Sequence, residues 1–195
     1  MKHRVLLASA ALALGVTAAS AQTQAPAAAS SDPGNMARFS RAIKARYDAI
    51  KRDIVEAADA VPESEYSFKP TAQVRSFGEL IGHIADAQNF FCGVAGGSNS
   101  EYADTIEKSK TSKADLVKAL KESVASCDAV YSATTPANVL GLEKLGKGDA
   151  LRGMFLLDNV SHGNEHYGNI VTYMRLKGRV PPSTAREQKA SGHEL

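Results

Sequence analysis

From Met36 onward, apolar positions recur every three or four residues in four separate runs, with polar residues filling the faces between them. The first run places Met36, Phe39, Ile43, Tyr47, Ile50, Ile54, Ala58 and Val61 on one stripe. Asp32-Pro33 ahead of it supplies an N-cap and a proline at the first helical position, and Pro62 ends the pattern. The second run carries Phe77, Leu80, Ile81, Ile84, Ala87, Gln88 and Phe91, with His83 at the flank of the same arc. It opens on Ser76-Phe77-Gly78-Glu79, a capping box in which the serine bonds forward and the glutamate reaches back. The third run, Leu116, Leu120, Val124, Cys127 and Tyr131, follows Ser112 and Asp115 as caps and stops before Pro136. The fourth extends from Asp149 to Lys177, where a basic turn, Gly178 and Pro181-Pro182 close it.

The connections show no such period. Residues 61–75 hold two prolines, with Tyr66 and Phe68 placed to plug one end of the packed helices. Residues 93–110 read as a loop, 141–148 as a lead into the fourth helix, and 183–195 as a polar, flexible C-terminal tail. No stretch sustains the alternation of a strand. The prediction is an all-α, four-helix bundle over residues 32–182, an architecture that builds metal sites from residues on facing helices.

The N-terminus belongs to something else. Lys2 and Arg4, the apolar run Val5 to Val16 and the small residues Ala19-Ser20-Ala21 read as a signal peptide over residues 1–21, cut before Gln22. Residues 22–31 follow as a disordered linker rich in Ala, Ser, Gln and Pro. The mature protein is therefore expected in a periplasm or outside the cell. Cleavage would remove two of the 23 basic residues and none of the 21 acidic ones, leaving 21 of each. A chain of zero net charge without a basic cluster excludes nucleic acid and an anionic membrane surface as expected partners. Export also permits Cys92 and Cys127 to form a disulfide between helices, with two separate buried thiols as the alternative.

Chemistry concentrates in the fourth run, at His162-Gly163-Asn164-Glu165-His166. Two imidazoles four apart on a helix stand one turn above the other, so both can aim a nitrogen at one point. Two polar residues on a solvated face have the same spacing. On a helical projection, however, the pair shares its direction with Phe155 and Tyr173, toward the bundle interior. His83 is the available third donor, because His3 falls in the leader and His193 in the tail. Three neutral imidazoles leave a coordination position open, as catalytic zinc sites do. The ligand set His83, His162 and His166 suits a divalent ion, zinc or nickel foremost, with iron and copper accepting the same donors. Asp86, beside His83, and Asp158, Glu165 and Asn169, beside the pair, are the candidate acceptors that would orient the rings.

Taken together, Phe77-Gly-Glu-Leu-Ile-Gly-His83-Ile-Ala-Asp86, the preceding Tyr66-Ser-Phe-Lys-Pro70, His162-Gly-Asn-Glu-His166-Tyr-Gly-Asn-Ile170 and Arg175-Leu-Lys-Gly178-Arg-Val-Pro-Pro182 resemble the DinB/YfiT-like superfamily. The resemblance spans about Met36 to Pro182 and is more specific than a histidine pair alone. It implies a four-helix bundle, often dimeric, with a three-histidine divalent metal site at His83, His162 and His166. It also implies, for some relatives, a thiol-dependent transferase or isomerase activity. In that reading metal-activated water or a metal-bound thiolate reacts with a small-molecule substrate that the sequence does not identify.

Two other readings stay open. A non-catalytic bundle that binds metal, ligand or partner explains the same residues. His162-x-x-Glu165-His166 also matches an inverted zinc-peptidase motif with Glu165 as base, but the later acidic ligand it needs would have to be Glu187 or Glu194 in the tail.

Overall fold

The computed structural model describes residues 32–192; the leader, the linker through residue 31 and His193 lie outside the described residues. Four long helices dominate: α1 (Pro33–Ala60), α2 (Phe77–Ala95), α4 (Lys113–Ala133) and α5 (Arg152–Leu176). They form an all-α, four-helix bundle. A short α3 (Thr105–Ser109), a hairpin of β1 (Leu142–Leu145) and β2 (Gly148–Leu151), and α6 (Pro182–Ser191) complete it.

The caps are where local chemistry demands them. Asp32 Oδ1 accepts from Gly34 N at 2.9 Å, and Pro33 is the first residue of α1. At α2 the box is closed in both directions, Glu79 N to Ser76 Oγ at 3.2 Å and Ser76 N to Glu79 Oε2 at 2.6 Å. Ser112 Oγ accepts from Asp115 N at 3.1 Å to start α4. These bonds satisfy amides that a helix start otherwise leaves unpaired.

Helix α2 is the central element. Fourteen of its 19 residues are buried, because α4, α5 and α3 all pack on it. An all-round burial of this kind explains why its run is apolar beyond a single stripe. Around it, one part of the core gathers Ile54, Phe77, Ile81, Ile84, Leu120 and Ile170. Tyr66 and Phe68 join that part, Tyr66 donating to Ala58 O at 2.6 Å and meeting Phe77 edge-on. The other part stacks Tyr47 on Tyr131 at 3.9 Å, beside Cys92, Cys127, Leu156 and Val160. There Cys92 and Cys127 form a disulfide between α2 and α4, Cα atoms 5.2 Å apart.

Three connecting segments differ from the reading of the sequence. Residues 93–110 contain α3, a helix too short to show a period of its own. It forms because the Asp86 carboxylate of α2 accepts from Ile106 N and Glu107 N at 2.9–3.0 Å. Residues 142–151 form a hairpin, so α5 begins at Arg152 and Asp149 lies in a strand opposite Lys144. Gly146 at φ 57° makes that turn. The tail expected from Ser183 is helical through Ser191. Its anchors lie on other elements: Arg186 pairs with Asp53 and Glu56 of α1, and Ser183 N donates to Tyr167 Oη of α5 at 3.1 Å.

Two stability effects follow. The disulfide spans 35 residues, and loop-closure entropy gives it about 3–4 kcal/mol. Urea unfolding of the Cys92→Ser/Cys127→Ser variant is therefore expected to show a loss of that order, and an unchanged midpoint would contradict it. A Cβ on Gly82 would stand 2.8 Å from Glu107 Cα. Gly82→Ala is expected to push α3 outward and cost about 1–3 kcal/mol, read from the same unfolding curves.

Candidate metal centre

The facing of α2 and α5 brings His83 against His162 and His166. Gly163 lets α5 settle on α1, since a Cβ there would meet Ile50 Cγ1 at 3.3 Å. The two α5 imidazoles then sit one turn apart on the face toward α2. His162 Nε2 lies 3.1 Å from His83 Nε2 and 3.0 Å from His166 Nε2. His83 and His166 are 9% and 7% exposed, and His162 is half-buried.

Three ligand nitrogens about 2.0–2.1 Å from one tetrahedral ion would be roughly 3.3 Å apart, within a few tenths of an ångström of this spacing. The chemistry of the donors agrees. A proton on His162 Nε2 can bridge one of its two contacts well, whereas a cation takes the lone pairs of all three rings. The residues therefore fit a divalent ion.

Electrostatics keep the rings in ligand form. Burial pushes His162 down to about 3, with His166, His83 and Arg75 adding to the effect. His166 is lowered to about 4, first by burial and then by His83 and Arg75, against the opposing pull of Glu165. His83 is lowered by burial and by Arg75, while Glu107 and Asp104 oppose. All three are neutral at neutral pH, as metal binding requires.

The expected supporting residues divide. Asn169 places its amide 3.4 Å from His166 Nδ1. Asp158 is exposed and makes no hydrogen bond to the rings, so it does not orient them. Asp86 makes no hydrogen bond to His83; its carboxylate is spent on the α3 amides described above. The outer nitrogen of His83 meets different groups, Tyr102 Oη at 2.8 Å and Glu107 Oε2 at 3.2 Å. Arg75 Nε donates to Glu107 Oε1 at 2.8 Å, and Tyr173 Oη donates to Arg75 O at 2.8 Å. Tyr102, Glu107 and Arg75 were not singled out from sequence. The available signal was the pair Asp104 and Glu107, three apart in an otherwise loop-like stretch.

Two surroundings shape access. A cleft of about 590 Å³ borders His166 and is lined also by Arg75, Glu107, Glu165, Asn169 and Tyr173. On the opposite flank the Phe91 ring stands 5.6 Å from that of His162, with Phe90 and Phe155 against it. Glu165 is exposed in the cleft, and Glu187 is exposed on α6. Among the described residues the side chain that meets the α5 pair from another element is His83 and not Glu187, while Glu194 lies outside the described residues.

The sequence profile of the DinB superfamily matches residues 46–170. No curated protein matches the chain by sequence. Among solved structures, the chain is similar to a DinB-like protein from Bacillus cereus ATCC 10987, with 17% identity, a TM-score of 0.60, and coverage of 72% of this chain and 93% of that one. It is also similar to a DinB-like protein from Bacillus subtilis, YjoA, with 20% identity, a TM-score of 0.57, and coverage of 71% and 92%. The profile takes in more than half of the sequence and both structures share the arrangement of its helices, so the chain belongs to the DinB superfamily.

Proposed function

We propose that this is an exported member of the superfamily that holds one divalent metal ion, zinc or nickel, through His83, His162 and His166, and acts on a small molecule admitted by the cleft beside His166. One observation carries the reading. Three imidazole nitrogens from two helices meet within 3.1 Å of their neighbours in the interior, an arrangement that desolvates them to no structural benefit unless something takes their lone pairs.

Bound through three imidazoles, such an ion supplies a Lewis acid with a free coordination position. The protein supplies the rest. Phe91, Phe90 and Phe155 keep water from the His162 side. The cleft delivers a substrate past Arg75, Asn169 and Glu165 to His166. Glu79 is paired with Lys69 and Glu107 with Arg75, so among the described residues Glu165 is the cleft carboxylate left to accept a proton. Export is supported by the leader read over residues 1–21 and by the cystine between α2 and α4. An oxidising compartment disfavours a reduced thiol cosubstrate and tilts the chemistry from thiol transfer toward hydrolysis. A non-catalytic metal-binding bundle is the second reading. It is favoured by the scarcity of unpaired acid–base groups in the cleft.

Protein purified without an affinity tag is expected to carry close to one equivalent of metal, and His83→Ala and His166→Ala to lose most of it. Equal metal content in the three proteins, by elemental analysis, removes the site.

The lowered ring pKa values predict a pH dependence of the metal-free protein. An unfolded imidazole titrates near 6.5, above the folded values of about 3 and about 4. The unfolded chain therefore binds more protons below pH 6.5, so stability is full above that pH and falls as pH descends toward the folded values. Between pH 6.5 and 5, above the range of ordinary carboxylates, the loss should reach about 1–2 kcal/mol per ring. Denaturant titrations at the two pH values measure it. His162→Ala should flatten the dependence, and an unchanged slope would contradict the assignment.

A further inference from the structure

The segment from Tyr102 to Glu107 surrounds the side of His83 that faces away from the other two histidines. Glu107 Oε2 is buried and has no hydrogen-bond partner of standard geometry, yet it lies 3.2 Å from His83 Nδ1. Its other oxygen takes the Arg75 Nε proton. Tyr102 Oη is 2.8 Å from the same nitrogen. Carboxylate oxygens of Asp104 and Glu107 and a ring nitrogen of His83 fall within 4.8 Å of one another.

The Glu107 carboxylate, an acceptor outright, asks for a proton on Nδ1. The Tyr102 oxygen is compatible with it, since a phenol can accept from the ring as well as donate. The Nδ1–H tautomer leaves Nε2 unprotonated, and Nε2 is the atom that faces His162 at 3.1 Å. The surrounding structure fixes this arrangement. Asp86 holds the first turn of α3 by its amides, and Gly82 admits the Glu107 backbone to a distance no larger side chain allows. One helix thus presents His83 and also clamps, one residue before it and three after, the segment that meets its outer nitrogen.

We propose that Glu107, assisted by Tyr102, is a positioning residue that holds His83 as the Nδ1–H tautomer, so that Nε2 keeps its lone pair for the metal. The proposal rests on the three-histidine metal reading for its purpose, and on the outer contacts of His83 for its content. Arg75 enters as the ion-pair partner of the other Glu107 oxygen.

The first test uses the metal-free wild-type protein and ¹⁵N-resolved NMR of its imidazoles. His83 is expected to carry its proton on Nδ1. A proton on Nε2 overturns the proposal, whether or not the protein binds metal. The second test is Zn²⁺ affinity by competition with a chromophoric chelator. Glu107→Ala is expected to weaken binding about 10- to 100-fold, and Glu107→Gln, which keeps an acceptor oxygen, to recover most of the loss. Arg75→Gln removes the ion pair but leaves the carboxylate beside His83, and is expected to weaken binding less than Glu107→Ala does. Unchanged affinity in Glu107→Ala, or an equal loss in Arg75→Gln, overturns the proposal. Absence of Zn²⁺ binding by the wild-type protein would instead sink the metal reading and leave the tautomer result to stand alone.

Discussion

Three imidazole nitrogens converging on one interior point are the constraint around which the bundle is arranged. Imidazoles are costly to bury without partners, and these rings lie between the two helices that the core already presses together. Keeping them in contact requires α5 to lie close to α1 at Gly163, α2 to be enclosed by its neighbours, and His83 to be approached from outside by a segment that belongs to no long helix. The architecture around the site can be read as the set of conditions that lets α2 and α5 meet at that point.

The same constraint organises charge. Arg75 sits at the entrance to α2, where its guanidinium discourages protonation of every ring in the cluster. It would also compete with a bound cation, were its charge not offset by Glu107 at 2.8 Å. The carboxylate therefore faces both ways, toward the arginine with one oxygen and toward the histidine with the other. Two partly buried charges are compensated and a neutral ring is oriented by one side chain.

The four long helices and their caps were legible in the sequence because their causes are local. Ser76 with Glu79, Ser112 with Asp115 and Asp32 ahead of Pro33 act within a few residues of themselves. The histidine pair was legible because helical spacing alone puts His162 beside His166, and His83 because few other donors existed. What was not legible depends on partners far along the chain. Helix α3 is held by Asp86 from about 20 residues before it, and α6 by Asp53 and Glu56 from more than a hundred. Asp86 illustrates the difficulty: its place one turn from His83 suggested support for the ring, yet its lone pairs serve backbone amides instead. The residues that do meet His83 lie in a stretch whose composition predicts only a loop.

The anchoring of α3 by Asp86 has a consequence for how this fold can vary. Because the short helix is fixed at its own first turn, its position does not depend on the span from Gly97 to Glu101, which touches the hairpin through Asn99 and leads into Tyr102 beside His83. Chain added within that span would raise the closure entropy only slowly, by roughly 0.6 kcal/mol for each doubling in length. Glu107 would remain where the α2 carboxylate places it. That surface can accordingly be lengthened or rebuilt without displacing the interior carboxylate.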